Sequence, residues 1–225
     1  MLALVLDSAT PAVTAAVVRV AVDAVVVEAV RRTVDARAHG ELLAPEVAEV
    51  LAEAGAGVTD LAAIVAGTGP GPFTGLRVGL VTAASMGQAL GVPTYGVCSL
   101  DAIGAAAPSG QRTLVATDAR RREVYWAVYG PHGERLTEPA VDSPAAVRKH
   151  ARELDVAVAV GEGATRYGDQ LGVKVLDEPQ YPSVEAFAAL AANRVRLGAP
   201  SEPLTPRYLR RPDAVAAASR KPVLP

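Results

Sequence analysis

The sequence predicts a duplicated α/β fold of two lobes, and three observations carry that expectation. The apolar run Leu2–Leu6 stops at Asp7 ahead of a valine-rich strand pair, and Thr113–Thr117 stops at Asp118 ahead of the strand Glu123–Tyr129. Asp60–Gly69 (DLAAIVAGTG) and Asp155–Gly163 (DVAVAVGEG) are each an apolar strand that opens into a glycine pair. Strand, aspartate, hairpin, helix, strand and glycine loop therefore occur twice, as expected of a repeated supersecondary unit. The expected lobes are residues 1–104 and 105–200, followed by a tail over 201–225.

Each element has its own local reason. Leu2–Leu6 is a short continuous apolar run, hence a buried strand, and Asp7-Ser8-Ala9-Thr10-Pro11 is a tight polar turn. AVTAAVVRV and AVVVEAVRR supply two further strands that turn near Asp23. From His39 to Gly55, the residues Leu43, Val47, Val50, Leu51 and Ala54 share one helical face, and Glu41, Glu49 and Glu53 point elsewhere. Strand Leu61–Ala66 leads into a second helix, from about Phe73 to Gly91, that Pro93 keeps from continuing. TYGV follows as a strand, and a last helix runs from the N-cap Ser183 to Gly198. Pro200, Pro203, Pro206, Pro212, Pro222 and Pro225 then forbid helix or central strand, so the tail is expected to be extended or disordered.

Composition excludes several classes. Half the residues are apolar and 20% are charged, enough to bury a sizeable core. Lys+Arg 22 against Asp+Glu 24 leaves a net charge of -2, which argues against an unaided grip on nucleic acid but leaves room for local basic patches. Cys98 is the single cysteine, so neither an internal disulfide nor a cysteine-built zinc site is available. The start MLALVLDSAT has no basic leader, and no apolar run approaches the ~20 residues that span a bilayer. A soluble cytoplasmic protein with no membrane contact is expected.

The loop GTGPGPFTG, residues 67–75, has glycines spaced like a phosphate cradle. A P-loop needs a lysine after its last glycine, and none is present. A dinucleotide fold needs G-x-G-x-x-G and a later acidic residue, whereas Gly69, Gly71 and Gly75 are spaced G-x-G-x-x-x-G and the next strand offers Thr94 and Tyr95. Pro70 and Pro72 remove two amide donors, which also disfavours a looser anion site. The helix beyond is more informative. Gly75, Gly79, Ala83 and Gly87 recur every four residues and form a stripe nearly free of side chain, flanked by Leu76, Leu80 and Leu90. Each interior glycine costs about 0.5–1 kcal/mol relative to alanine, so something must approach the stripe closely. A helix of the same chain and a helix of another subunit satisfy that condition equally well.

The segment GTGPGPFTGLRVGLVTAASMGQALGVPTYGVCSLDAI resembles the signature of the TsaB (YeaZ) family, and LDSATP, HGELLAP, DARRREVYWAVY and PRYLRRPDA resemble its other segments in order. The resemblance runs from Met1 to about Ala214 and departs at Pro72, where the family usually has serine. It implies an actin-like (ASKHA) fold of two β-β-β-α-β-α lobes. It also implies a scaffold that pairs with TsaD, carries TsaE on the joint surface, and reaches tRNA through that complex. The complex transfers threonylcarbamoyl to the adenosine beside the anticodon of tRNAs that read codons beginning with adenine. ATP, a metal ion and threonylcarbamoyl-adenylate are then used through the other subunits, with no cofactor in this chain alone. The expected partner face is His39, Leu43, Val47, Val50 and Leu51 with the stripe Gly75, Leu76, Gly79, Leu80, Ala83 and Gly87. A leucine at Gly79 is expected to leave the fold intact and block pairing, and the self-complementary stripe suggests homodimers in isolation.

Catalytic and metal-binding residues are sparse. TsaD-like enzymes hold a metal with H-x-x-x-H on the first helix, but here His39 is followed at that spacing by Leu43. His132 and His150 have no partner at ligand spacing, so no catalytic or metal residue is assigned. Asp7, Ser8 and Thr10 stand where actin-like kinases hold Mg-ATP, as a vestigial phosphate loop or as turn caps; Asp118 repeats the position in the second lobe. Arg120–Arg122 and Arg207, Arg210 and Arg211 form two basic clusters, usually solvated faces and here candidates for phosphate contact. A metallopeptidase and an ATP-dependent small-molecule kinase are the alternatives, separable by metal content and by ATP turnover of the chain alone.

Overall fold

In the computed structural model, which describes residues 1–108 and 110–210, alternate side chains of one short strand serve two different cores. Strand β1 (Leu2–Asp7) sends Leu4 and Leu6 to one apolar cluster and Ala3 and Val5 to another, as the two-residue period of a strand requires. It pairs antiparallel with β2 (Ala12–Val20) and parallel with β4 (Leu61–Gly67). With β3 (Val25–Val34) and β5 (Thr94–Val97) outside, the sheet order is β3-β2-β1-β4-β5.

The second sheet repeats this plan. Its centre, β6 (Thr113–Asp118), pairs antiparallel with β7 (Val124–Tyr129) and parallel with β9 (Val158–Val160). Outer strands β8 (Ala140–Asp142) and β10 (Lys174–Val175) complete the order β10-β9-β6-β7-β8, the first sheet's order read from its other edge. The duplication expected from the two aspartate-ended strands is therefore present, with Asp7 and Asp118 in equivalent places.

Helices α1 (His39–Glu53) and α2 (Phe73–Leu90) cover the Leu4 and Leu6 face of the first sheet. In the second lobe α4 (Pro144–Glu153) and α5 (Glu162–Leu171) do the same. The two remaining helices are exchanged. Leu100 and Ile103 of α3 (Ser99–Gly104) pack with Val115, Ala127, Tyr129 and Val160 of the second sheet. Val184, Phe187, Ala191 and Val195 of α6 (Val184–Leu197) pack with Ala3, Val5 and Val18 of the first. A cut at residue 104 thus divides the chain but not its packing. Cys98 lies in the α3 cluster, where burial pushes its thiol up to about 11, as suits a packed structural side chain.

The tail is extended over 201–210, but it is not loose. The Glu202 amide donates to the Thr94 carbonyl at 2.9 Å, and the Arg207 amide donates to that of Thr68 at 2.9 Å. The expected continuation through Arg211 and Pro212 lies outside the described residues.

The glycine stripe requires a correction. Gly75, Leu76, Gly79, Leu80, Ala83 and Gly87 are all buried inside the chain, as are His39, Leu43, Val47, Val50 and Leu51. What approaches the stripe is the turn at Ser8, the His39 ring at the start of α1 and the strand residue Thr94. A Cβ on Gly79 would lie 2.6 Å from Ser8 Oγ, and one on Gly87 would overlap Thr94. The four-residue spacing correctly signals close approach but carries no information on whether the neighbour belongs to the same chain. The expectation for a leucine at Gly79 is accordingly reversed: that variant loses the fold, by about 3 kcal/mol or more. Gly79→Ala also lowers stability although alanine is the better helix former, while Gly40→Ala, with nothing within 4 Å of its Cβ, raises it by up to about 1 kcal/mol. Urea unfolding of the two alanine variants checks both signs.

Candidate functional site at the junction of the lobes

The Asp7–Thr10 turn and the glycine loop after β4 close on each other. Ser8 Oγ donates to the Gly75 carbonyl at 2.7 Å and accepts from the Gly79 amide at 2.8 Å, bridging two groups that are helical i, i+4 partners. A Cβ on Gly71 would overlap the Ala9 carbonyl, and one on Gly67 would overlap the Asp7 carboxylate. These glycines are spaced to let two backbones touch. Asp7 and Ser8 are each 1% exposed and Thr10 is 3% exposed, and each makes a side-chain hydrogen bond within the chain. Thr10 Oγ1 accepts from the Ala12 amide at 3.2 Å, a turn cap.

His39, at the start of α1, is buried with Nε2 2.8 Å from the Thr10 carbonyl. Leu43, one turn on, is 1% exposed in the core. The residue at the second metal-ligand spacing is thus a packing residue, and the histidine ties α1 to the turn. Among the described residues no three His, Cys, Asp or Glu side chains group to hold a metal ion. Between the lobes, Thr10, His39, Thr74, Asp118 and Arg120 line a pocket of about 180 Å³. Small-molecule sites run to roughly 300–1,000 Å³.

In the second lobe Asp118 is joined by three residues that sequence reasoning did not single out, Glu162, Arg166 and Tyr167. Asp118 accepts from Arg166 at 2.9 Å, from the Tyr167 hydroxyl at 3.2 Å and from the Arg120 amide at 3.2 Å. Its own amide donates to both oxygens of Glu162 at 3.0 and 3.1 Å, and burial pushes the Glu162 carboxyl up to about 7. Glu162 sits inside the repeated glycine pair, so the duplication pointed at it. Nothing in the sequence linked Ser99 to Asp7.

The faces of α1 and α2 turned away from the sheet are open. Gly40, Ala44, Ala48 and Ala52 form an exposed small-residue row on α1, and Val81, Ala84 and Ser85 are exposed on α2. The same two helices proposed from the sequence as partner elements therefore present different residues to the outside.

Burial, opposed by the Ser99 hydroxyl bond and the Ala9 amide, raises Asp7 from 3.8 to about 7. Between those values the folded chain keeps a proton that the unfolded chain has released, so this group's contribution is present at acid pH and is lost as pH rises towards 7. At about 1.4 kcal/mol per unit the loss is on the order of 4 kcal/mol at most, and Glu162 acts in the same direction. Asp7→Asn should therefore melt higher than wild type at pH 8 and lose that advantage by pH 4. Thermal melts across pH 4–8 read the difference.

The comparisons with known proteins agree with this architecture. The family model described as "TsaD: tRNA N6-adenosine threonylcarbamoyltransferase" matches residues 30–170. An uncharacterised protein of Mycobacterium tuberculosis is 49% identical over 214 residues, covering 94% of this chain and 92% of that protein. The Escherichia coli "tRNA threonylcarbamoyladenosine biosynthesis protein TsaB" is 34% identical over 190 residues, covering 77% of this chain and 81% of that protein. YeaZ from Pseudomonas aeruginosa superposes with a TM-score of 0.73 at 28% identity, covering 92% of this chain and 99% of that one. With its two sheets in repeated order and these relatives along nearly its whole length, the chain has a duplicated two-sheet α/β fold, similar to that of YeaZ, and belongs to the TsaB (YeaZ) family.

Proposed function

We propose that this chain is the non-catalytic scaffold that a TsaD-type enzyme requires to transfer threonylcarbamoyl to the adenosine beside the anticodon of tRNAs reading codons that begin with adenine. The observation that carries the reading is Leu43 in the core at the place of a second metal ligand, within a chain similar over most of its length to a TsaB protein. His39 spends its Nε2 on the Thr10 carbonyl, which supports a structural role for the one histidine that remains. In this reading ATP, the metal ion and threonylcarbamoyl-adenylate are handled by other subunits, TsaE sits on the joint surface, and tRNA is met through the assembly. The 180 Å³ pocket and the buried Asp7 weigh against a kinase.

The open faces of α1 and α2 are the proposed contact with TsaD and, in its absence, with a second copy of this chain. Their small residues let another helix pair approach closely. A stable interface there would bury about 800 Å² per partner. Ala48→Trp is expected to fold and melt like wild type, because Ala48 is exposed, and to fail to co-elute with TsaD in size-exclusion chromatography. Co-elution of that variant at wild-type affinity would move the interface elsewhere.

Reconstituted tRNA threonylcarbamoylation from TsaD, TsaE, the donor synthase and tRNA tests the function directly. Activity should require this chain, and the chain alone should show none. Full activity without it would overturn the proposal.

A further inference from the structure

Two arginine runs far apart in sequence meet at the mouth of the cleft. Arg210 donates to the Ala119 carbonyl at 2.8 Å and pairs with Glu123, which sets the tail against the turn of Arg120, Arg121 and Arg122. Just before it, Tyr208 stacks on Phe73 at 5.2 Å between ring centroids and accepts from Arg77 Nε at 2.7 Å. The Arg77 guanidinium lies 3.9 Å over the Phe73 ring. Phe73 and Arg120 line the same pocket, so the aromatic stack and the arginine turn border one surface. Phe73 is 48% exposed and Tyr208 is 39% exposed. Among the described residues Arg77, Arg120 and Arg122 have no ion pair, whereas Glu123 and Asp118 are each already matched by an arginine.

The backbone of the turn is unusual as well. Arg120, Arg121 and Arg122 have φ of 63°, 53° and 62°, a left-handed run that side-chain-bearing residues avoid and that glycine or asparagine adopts readily. Three arginines stand where local backbone preference asks for other residues, and such strain collects at working sites. Single-stranded nucleic acid is bound by this combination of exposed stacked rings for bases and arginines for phosphates, while an acidic peptide needs no rings.

We infer that this surface, built from the Arg120–Arg122 turn, Arg77, Phe73 and Tyr208, is a contact site for single-stranded RNA. The inference rests on the proposed function for the identity of the RNA: an unpaired segment of the tRNA that the assembly modifies. Bases stack on the outer ring face and phosphates meet the arginines, which accommodates a chain whose overall charge is -2.

The test uses two variants, Arg120→Gly with Arg122→Gly and Tyr208→Ala, neither of which touches the open faces of α1 and α2, each in full-length chain paired with TsaD. Unmodified tRNA transcript is the probe, titrated at several salt concentrations, with polyglutamate as competitor. Both variants should co-elute with TsaD as wild type does, and the glycine pair should melt at the same or a higher temperature because the strained φ values are relieved. Each should bind tRNA at least tenfold more weakly, with the salt slope shallower by about 0.7 for every phosphate that is no longer neutralised. Unchanged affinity and slope in variants that still pair would overturn the inference. Competition by polyglutamate as effective as by tRNA would overturn it in favour of an acidic protein partner. If wild type itself does not pair with TsaD, the scaffold reading fails separately, and the same titrations on the chain alone decide the RNA contact.

Discussion

The hydroxyl of Ser8, placed between the Gly75 carbonyl and the Gly79 amide, is the contact on which the first lobe depends. It sets the end of the central strand against the first two turns of α2 at a separation only glycine permits. Everything nearby follows from that closeness: Gly71 lies against Ala9, Gly67 against Asp7, and the His39 ring packs under Gly75. The second lobe repeats the device, with Gly161 against Ala116 and Gly163 against Thr117. The loop after β4 thereby closes on the chain's own backbone. The absent lysine and the two prolines are what such closure leaves unconstrained.

Much of the fold was legible because its signals are local. Apolar runs ending at Asp7 and Asp118, the cap Ser183 and the stops at Gly91 and Gly198 depend on a few neighbouring residues, and the elements fall there. The site was less legible because its contacts are long-range. A four-residue period in α2 says that its surface is flat, but the identity of the group against it lies 67 residues away at Ser8. The same limit hid the Ser99 bond to Asp7, 92 residues apart, and the meeting of the two arginine runs. For His39 and Leu43 the spacing showed that they share one face of α1, but what that face meets, the Thr10 carbonyl and the core of the first lobe rather than a partner, is again set at long range.

The tail illustrates how proline-rich sequence can mislead about order. Prolines forbid a ladder from their own nitrogens, yet residues between them keep amides that can donate. Glu202 and Arg207 use theirs on Thr94 and Thr68, and Arg194 adds an ion pair to Glu202 at 2.7 Å. The segment crosses from the first sheet to the β6–β7 turn, so the junction is braced by chain as well as by side chains.

The exchange of α3 and α6 has a consequence for how the chain is born. On the ribosome the first sheet is complete in sequence at Val97, but one of its faces stays bare until Phe187 and its neighbours have been made. At the roughly 5–20 residues per second of synthesis, that interval is on the order of ten seconds. During it Ala3, Val5 and Val18 present a greasy surface of the sort that chaperones recognise, and vectorial folding of the N-terminal half cannot finish. Among the described residues, the last helix to emerge is the one that seals the first sheet.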